Sequence, residues 1–270
     1  MKYYIYYKGG KIFYSDTGAS SGTPLVLLHG YLESSEIWSG FTKRLSSDFR
    51  VISIDLPGHG SSSIYSECHT MEFMAEAVNE VLAGLDVSKA FITGHSLGGY
   101  VVLAFLELFP QKLKGYCLFH SHPYADTPEA VHKREREIEI VRSGKKYLMY
   151  PDNVSMMFAS DNLTKFQEAL NVSKEIASRT SDEGIISVLK GMMARPSRVG
   201  VLEEGSVPFL WILGRHDNYI PHDSVLSRTQ LPSSARVVIL EKSGHMGFVE
   251  EESLSAMIIS DFMKELNRHH

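Results

Sequence analysis

Apolar residues along the chain fall into two kinds of run. Short unbroken blocks end on glycine, histidine or an acid: Leu25–Leu28 before His29-Gly30, Val51–Ile54 before Asp55, Ala90–Thr93 before Gly94. Tyr116–Phe119 before His120, Phe209–Leu213 before Gly214 and Val237–Leu240 before Glu241 continue the series. Blocks without alternation suit strands covered on both faces, as in a parallel sheet. Longer stretches repeat their apolar positions at helical spacing. Phe73, Met74, Ala77, Val78, Val81 and Leu82 predict a helix over 71–85. A second is predicted over 97–109, stopped by Pro110, and a third over 253–266. Tyr3–Tyr7 and Lys11–Ser15, split by Gly9-Gly10, predict a hairpin. The pattern predicts an α/β fold: a mostly parallel central sheet, an N-terminal antiparallel hairpin and helices on both faces.

The alternation stops between about residues 126 and 205, where no strand block occurs. Thr127-Pro128-Glu129 reads as a helix start, with Thr as cap and Pro at the first position. Thr180 and Glu183 have capping-box spacing before Ile185, Ile186 and Leu189. The segment is neither Gly/Ser-rich nor Pro-rich, so it is not a linker. The expected organisation is a core of residues 1–125 and 206–270, with a helical lid over 126–205 inserted between two strands.

The 270 residues, at roughly 150 per domain, give about 1.8 domains, which an inserted lid explains without a second module. A net charge of −5 offers no basic excess for phosphates, so no nucleic-acid partner is expected. No run approaches the roughly 18 apolar residues of a membrane span, and Met1–Lys11 has no signal-peptide stretch. The expectation is a cytoplasmic protein without a membrane span. Two cysteines, Cys68 and Cys117, are too few for a disulfide framework or a cysteine zinc site. Asn153, Asn162 and Asn171 match the glycosylation pattern and, without a secretory signal, read as chance. The terminal His269-His270 pair is set aside from function, and oligomeric state is not legible.

The strongest chemical signal is Gly94-His95-Ser96-Leu97-Gly98-Gly99, which leaves an apolar strand and opens an apolar helix. A nucleophile elbow needs that context, because its serine must project from a sharp turn flanked by residues without side chains. A serine hydroxyl also needs a base. Ser243-Gly244-His245 follows the last predicted strand, placing His245 at the same sheet edge as Ser96. The base needs an orienting carboxylate. Asp217 follows the preceding strand. The oxyanion donors expected are the backbone N–H groups of Leu97 and Tyr31, the latter in the loop after the first central strand.

His29-Gly30-Tyr31, Asp55-Leu56-Pro57-Gly58-His59-Gly60-Ser61, Gly94–Gly99 and the Asp217 and His245 loops occur in the order found in the α/β-hydrolase superfamily. The chain resembles its serine-nucleophile, esterase-like branch with a helical lid. The resemblance implies catalytic Ser96, Asp217 and His245, and a structural role for Asp55–Ser61. Through superfamily members whose acid follows an earlier strand, it also implies Asp126, after Tyr116–His120, as the alternative to Asp217. It implies a cofactor-free, metal-free serine hydrolase acting on a carboxylic ester or related acyl bond. Acyl transfer, perhydrolysis and carbon–carbon bond hydrolysis share the triad, and a receptor with little turnover is a further alternative. Serine at 96 departs from the aspartate of haloalkane dehalogenases and epoxide hydrolases. His95 and Tyr100 depart from the Tyr and Arg of the menaquinone-pathway lyases.

The lid region holds Met149, Met156, Met157, Met192 and Met193, and methionines pack adaptably around apolar groups. A small molecule with an apolar acyl group is the expected substrate. Tyr31, His120, Met149, Met156, Met157 and Met246 are the pocket candidates. His120 and His122 have metal-like spacing but no evident partner ligands, and read as pocket or hinge residues.

Overall fold

The computed structural model describes residues 2–18 and 22–268; His269 and His270 lie outside the described residues. The chain opens with β1 (Lys2–Tyr7) and β2 (Gly10–Asp16), paired antiparallel with Tyr7 opposite Gly10. The turn is therefore Lys8-Gly9, one residue earlier than Gly9-Gly10. Both turn residues have positive φ, 43° and 83°, the geometry that follows the right-handed twist of a two-residue hairpin.

The alternating part follows: β3 (Leu25–Leu28), α1 (Ser39–Leu45), β4 (Val51–Ile54), α2 (Met71–Gly84), β5 (Ala90–His95), α3 (Leu97–Leu108) and β6 (Leu113–Phe119). Five helices then succeed one another: α4 (Pro128–Arg142), α5 (Tyr150–Met156), α6 (Gln167–Arg179), α7 (Asp182–Ala194) and α8 (Val199–Glu204). The sheet resumes with β7 (Phe209–Gly214), α9 (His222–Leu226), β8 (Ala235–Leu240), α10 (Gly247–Glu250) and α11 (Glu252–Arg268).

The described strands form one eight-stranded sheet, ordered β1-β2-β4-β3-β5-β6-β7-β8. β2 meets β4 antiparallel, and every later pair is parallel. Every residue of β3, β5 and β7 is buried, which explains their unbroken apolar sequences. Leu28 pairs with Gly94, Phe119 with Ile212 and Gly214 with Leu240. The strands from β3 to β8 thus release their following loops at one edge, where open α/β sheets place their ligands.

Thr127 caps α4 as expected, its hydroxyl accepting from the Ala130 N–H. The cap of α7 is Ser181 rather than Thr180. Ser181 Oγ accepts from the Gly184 N–H at 3.1 Å, while Thr180 is extended and gives its carbonyl to Lys146 Nζ at 2.6 Å.

Candidate active site

Ser96 stands between β5 and α3 with φ 48° and ψ −110°, a region that costs an L-residue on the order of 1–3 kcal/mol. The surroundings hold it there. Its N–H donates to the Phe119 carbonyl at 3.0 Å, and its carbonyl accepts from Gly99 N–H and Ser121 Oγ. A Cβ on Gly98 would lie 2.4 Å from the Leu28 carbonyl oxygen, so only glycine lets helix and strand approach this closely. Leu97 opens α3, where first-turn N–H groups lack helical acceptors.

His245 and Asp217 meet in the loops after β8 and β7. Asp217 Oδ2 lies 2.7 Å from His245 Nδ1, and Oδ1 accepts the N–H groups of Tyr219 and Ile220 at 2.8 and 2.9 Å. Burial disfavours the charged carboxyl, but the His245 charge and hydrogen bonds from His120 and His245 hold its pKa well below the usual range. An ionised Asp217 puts the His245 proton on Nδ1 and leaves Nε2 free to act as base. The His245 N–H donates to the Met157 carbonyl at 2.6 Å, so the helical segment is fastened to this loop. Glu250 takes the Gly244 and Ala159 N–H groups, both at 2.8 Å.

Ser96, His245 and Tyr31 line one cavity of about 290 Å³. Asp126 also borders it, but its carboxylate is taken by Arg134 and Arg195, both at 2.7 Å. Asp217, not Asp126, therefore partners His245. His29 is buried in its loop: its Nε2 accepts from Leu56 N–H at 2.9 Å. Asp55 likewise accepts from Ser35 and Ser61 N–H groups, consistent with a purely structural turn.

The cavity wall is more polar than the methionine pattern suggests. Tyr31 and Met157 line it, joined by Met192. The other pocket candidates lie elsewhere. Met149 and Met246 are packed into the core, and Met156 is 45% exposed on the outside of its helix. His120 sits behind the site, its Nδ1 3.3 Å from Asp217 and its Nε2 accepting from Gly247 N–H. Burial pushes its pKa down to about 4, against the pull of Asp217. His122 lines the cavity beside Tyr100, so of the two histidines only His122 reaches it. Lys133, Arg134, Glu137 and Asn153 complete much of the wall from the helical segment. Lys133, Arg134 and Glu137 escaped notice in the sequence because a charged run on a helix usually faces solvent.

One partnership had no motif to announce it, although His95 itself lies in the nucleophile-elbow motif. Glu33 Oε2 lies 2.9 Å from His95 Nδ1, and His95 Nε2 lies 2.8 Å from the His245 carbonyl oxygen. The only sequence signal is a lone acid three residues after Gly30.

The fold that carries these residues matches known proteins. The α/β-hydrolase fold family matches residues 23–135. An esterase from Thermogutta terrifontis superposes with a TM-score of 0.92 at 25% identity, covering 98% of this chain and 99% of its own. The chain belongs to the α/β-hydrolase fold superfamily. It is an enzyme of that family. This α/β-hydrolase is 30% identical over 243 residues to the dihydrolipoyllysine-residue acetyltransferase component of the acetoin cleaving system of Pseudomonas putida. That alignment covers 88% of this chain but 63% of the relative, so the chain spans under two thirds of that protein's length. A putative 2-succinyl-6-hydroxy-2,4-cyclohexadiene-1-carboxylate synthase of Bacillus subtilis is 27% identical, covering 93% of this chain and 94% of its own. Among the described residues, no helix of this α/β-hydrolase is long and apolar enough to cross a membrane.

Proposed function

We propose that this α/β-hydrolase is a serine hydrolase cleaving a carboxylic ester or related acyl bond of a small molecule. The observation that carries the reading is His245, held from behind by buried Asp217, lining one cavity with Ser96 on its strained turn. His245 Nε2 takes the Ser96 proton as Oγ attacks the substrate carbonyl carbon. The resulting oxyanion is held by the Leu97 and Tyr31 backbone N–H groups, and the intermediate collapses when His245 protonates the leaving alcohol. Water, deprotonated by His245, then attacks the acyl-Ser96 ester and releases the acid. The chain supplies nucleophile, base and donors, so the scheme calls for no metal or cofactor.

Residues 126–205 act in this reading as a lid, since α4 and the Met157 segment roof the cavity. Its mixed lining suits an acyl group that carries polar substituents as well as apolar carbons. Steady-state kinetics on aryl esters of graded acyl length test the reaction. Ser96→Ala is expected to lower kcat by roughly 10⁴-fold or more, as removal of a triad nucleophile does. Equal turnover by wild type and Ser96→Ala would refute it.

A further inference from the structure

The chemistry above leaves a buried ionisable pair beside the nucleophile unused. Glu33, in the loop after β3, and His95, the last residue of β5, are 3% and 0% exposed. His95 Nδ1 faces the Glu33 carboxylate at 2.9 Å, and Nε2 faces the His245 carbonyl at 2.8 Å. Both partners are acceptors. A neutral imidazole carries one N–H and can serve only one of them; serving both requires the imidazolium. Burial opposes that charge. The Glu33 charge and hydrogen bond, helped by the His245 carbonyl, outweigh it and raise the His95 pKa above its ordinary 6.5. Glu33 is correspondingly lowered despite its own burial.

The pair reaches three parts of the site. Glu33 Oε2 also accepts the Gly30 N–H at 2.5 Å, next to Tyr31 in the oxyanion loop. A Cβ on Gly30 would lie 2.7 Å from His95 Nδ1, so the loop closes directly on the ring. His95 precedes Ser96, and its other nitrogen holds the His245 main chain. The titratable rings facing it are His245 and His120, with centroids 4.8 and 6.1 Å away. Asp217 adds negative charge from the β7 loop, His29 lies on the Glu33 side, and Trp38 and Phe248 form the apolar wall.

We propose that Glu33 and His95 form a permanent ion pair that positions the catalytic groups, with protonated His95 tethering His245 and Glu33 tethering the oxyanion loop. The proposal rests on the serine-hydrolase reading. Neither residue touches substrate; both act through the backbone of residues that do.

Glu33→Gln tests it, because the amide keeps the shape and can still accept through oxygen while removing the charge. Without the Glu33 charge, burial favours the neutral ring, so His95 in that variant should carry a single ring proton at about pH 7.5 and can then donate to only one acceptor. At about pH 7.5, kcat is expected to fall by up to about 100-fold, the scale of an ångström-level misplacement of reacting groups, with KM little changed. The ratio of variant to wild-type kcat should recover as pH is lowered and His95 regains its proton. A ratio that is low and flat with pH would indicate a structural defect and overturn the proposal, as would an unchanged kcat.

A second readout is independent of catalysis. Nitrogen-15 NMR of histidine-labelled wild type should show one ring protonated on both nitrogens at about pH 7.5, lost in Glu33→Gln. If no such ring exists in wild type, the proposal fails, and this holds even if the variant does not fold. If wild type turns over no ester, the serine-hydrolase reading fails separately. The rate of Ser96 labelling by a fluorophosphonate then replaces kcat in the same pH comparison.

Discussion

At Tyr100, one proton sets the character of a cavity wall. The Tyr124 N–H donates to His122 Nδ1 at 3.2 Å, so the His122 ring proton resides on Nε2 and points at the Tyr100 hydroxyl, also 3.2 Å away. Burial and the nearby Arg195 push the His122 pKa down to about 3, keeping the ring neutral. Tyr100 therefore accepts from His122 and keeps its own proton to offer to the cavity it lines. Tyr100→Phe removes that donor. For an ester with a hydrogen-bond acceptor on its acyl chain, kcat/KM should fall about 2- to 12-fold, the worth of a neutral hydrogen bond of about 0.5–1.5 kcal/mol. A plain alkyl ester of equal length should be unaffected, and paired kinetics on the two esters read the difference. Ser96 and His245 of the proposed triad were legible at this scale because each sits in a turn with its own local signature. Glu33 and His95 were not: their partnership spans 62 residues of sequence and depends on two loops meeting.

Helix α4 shows which element-level features are local. Its start was readable because Thr127 and Pro128 each favour that position through their own backbone chemistry. Thr127→Ala should cost about 1 kcal/mol by freeing the Ala130 N–H. A thermal melt would register this as a fall in Tm of about 2–4 °C for a chain of this size. The start of α7 was misplaced by one residue. Thr180 and Ser181 are both competent caps, and the contact of Lys146 with the Thr180 carbonyl, from a distant turn, accompanies the choice of Ser181. The face that α4 turns toward the site was also hidden. Lys133, Arg134 and Glu137 look like a solvated stripe in sequence and line the cavity only because the helix lies across the sheet edge.

Across the whole molecule, buried neutral histidines set the response to acid. Burial lowers the pKa of His29 and His59, and brings His69 and His120 to about 4. Unfolded, each would titrate near its ordinary 6.5. Between about pH 6.5 and 4 the unfolded chain thus binds more protons than the folded one, and stability must fall as pH falls. Each such histidine contributes a slope of up to about 1.4 kcal/mol per pH unit in that window. His95 and Glu33 act differently. The raised His95 contributes stability below its folded pKa and loses it at higher pH, while the lowered Glu33 weakens the fold only in stronger acid. Urea unfolding at a series of pH values should therefore show the midpoint dropping from about pH 6.5 downward. A midpoint flat to pH 4 would contradict the burial of these rings.

The sequence by itself determined the strands, their parallel character, the elbow around Ser96 and the order in which acid and base follow it. These are properties of short segments, where backbone sterics and hydrophobic period act within a few residues. The tertiary structure decided which carboxylate serves His245, giving Asp217 that place and spending Asp126 on two arginines. It decided that Lys133 and Glu137, rather than Met149 and Met246, face the cavity. It also decided that His95, beside the nucleophile, meets Glu33 and the His245 backbone. Such pairings are settled by which loops converge at the sheet edge and by the cost of leaving a buried polar group alone, neither of which has a local signature.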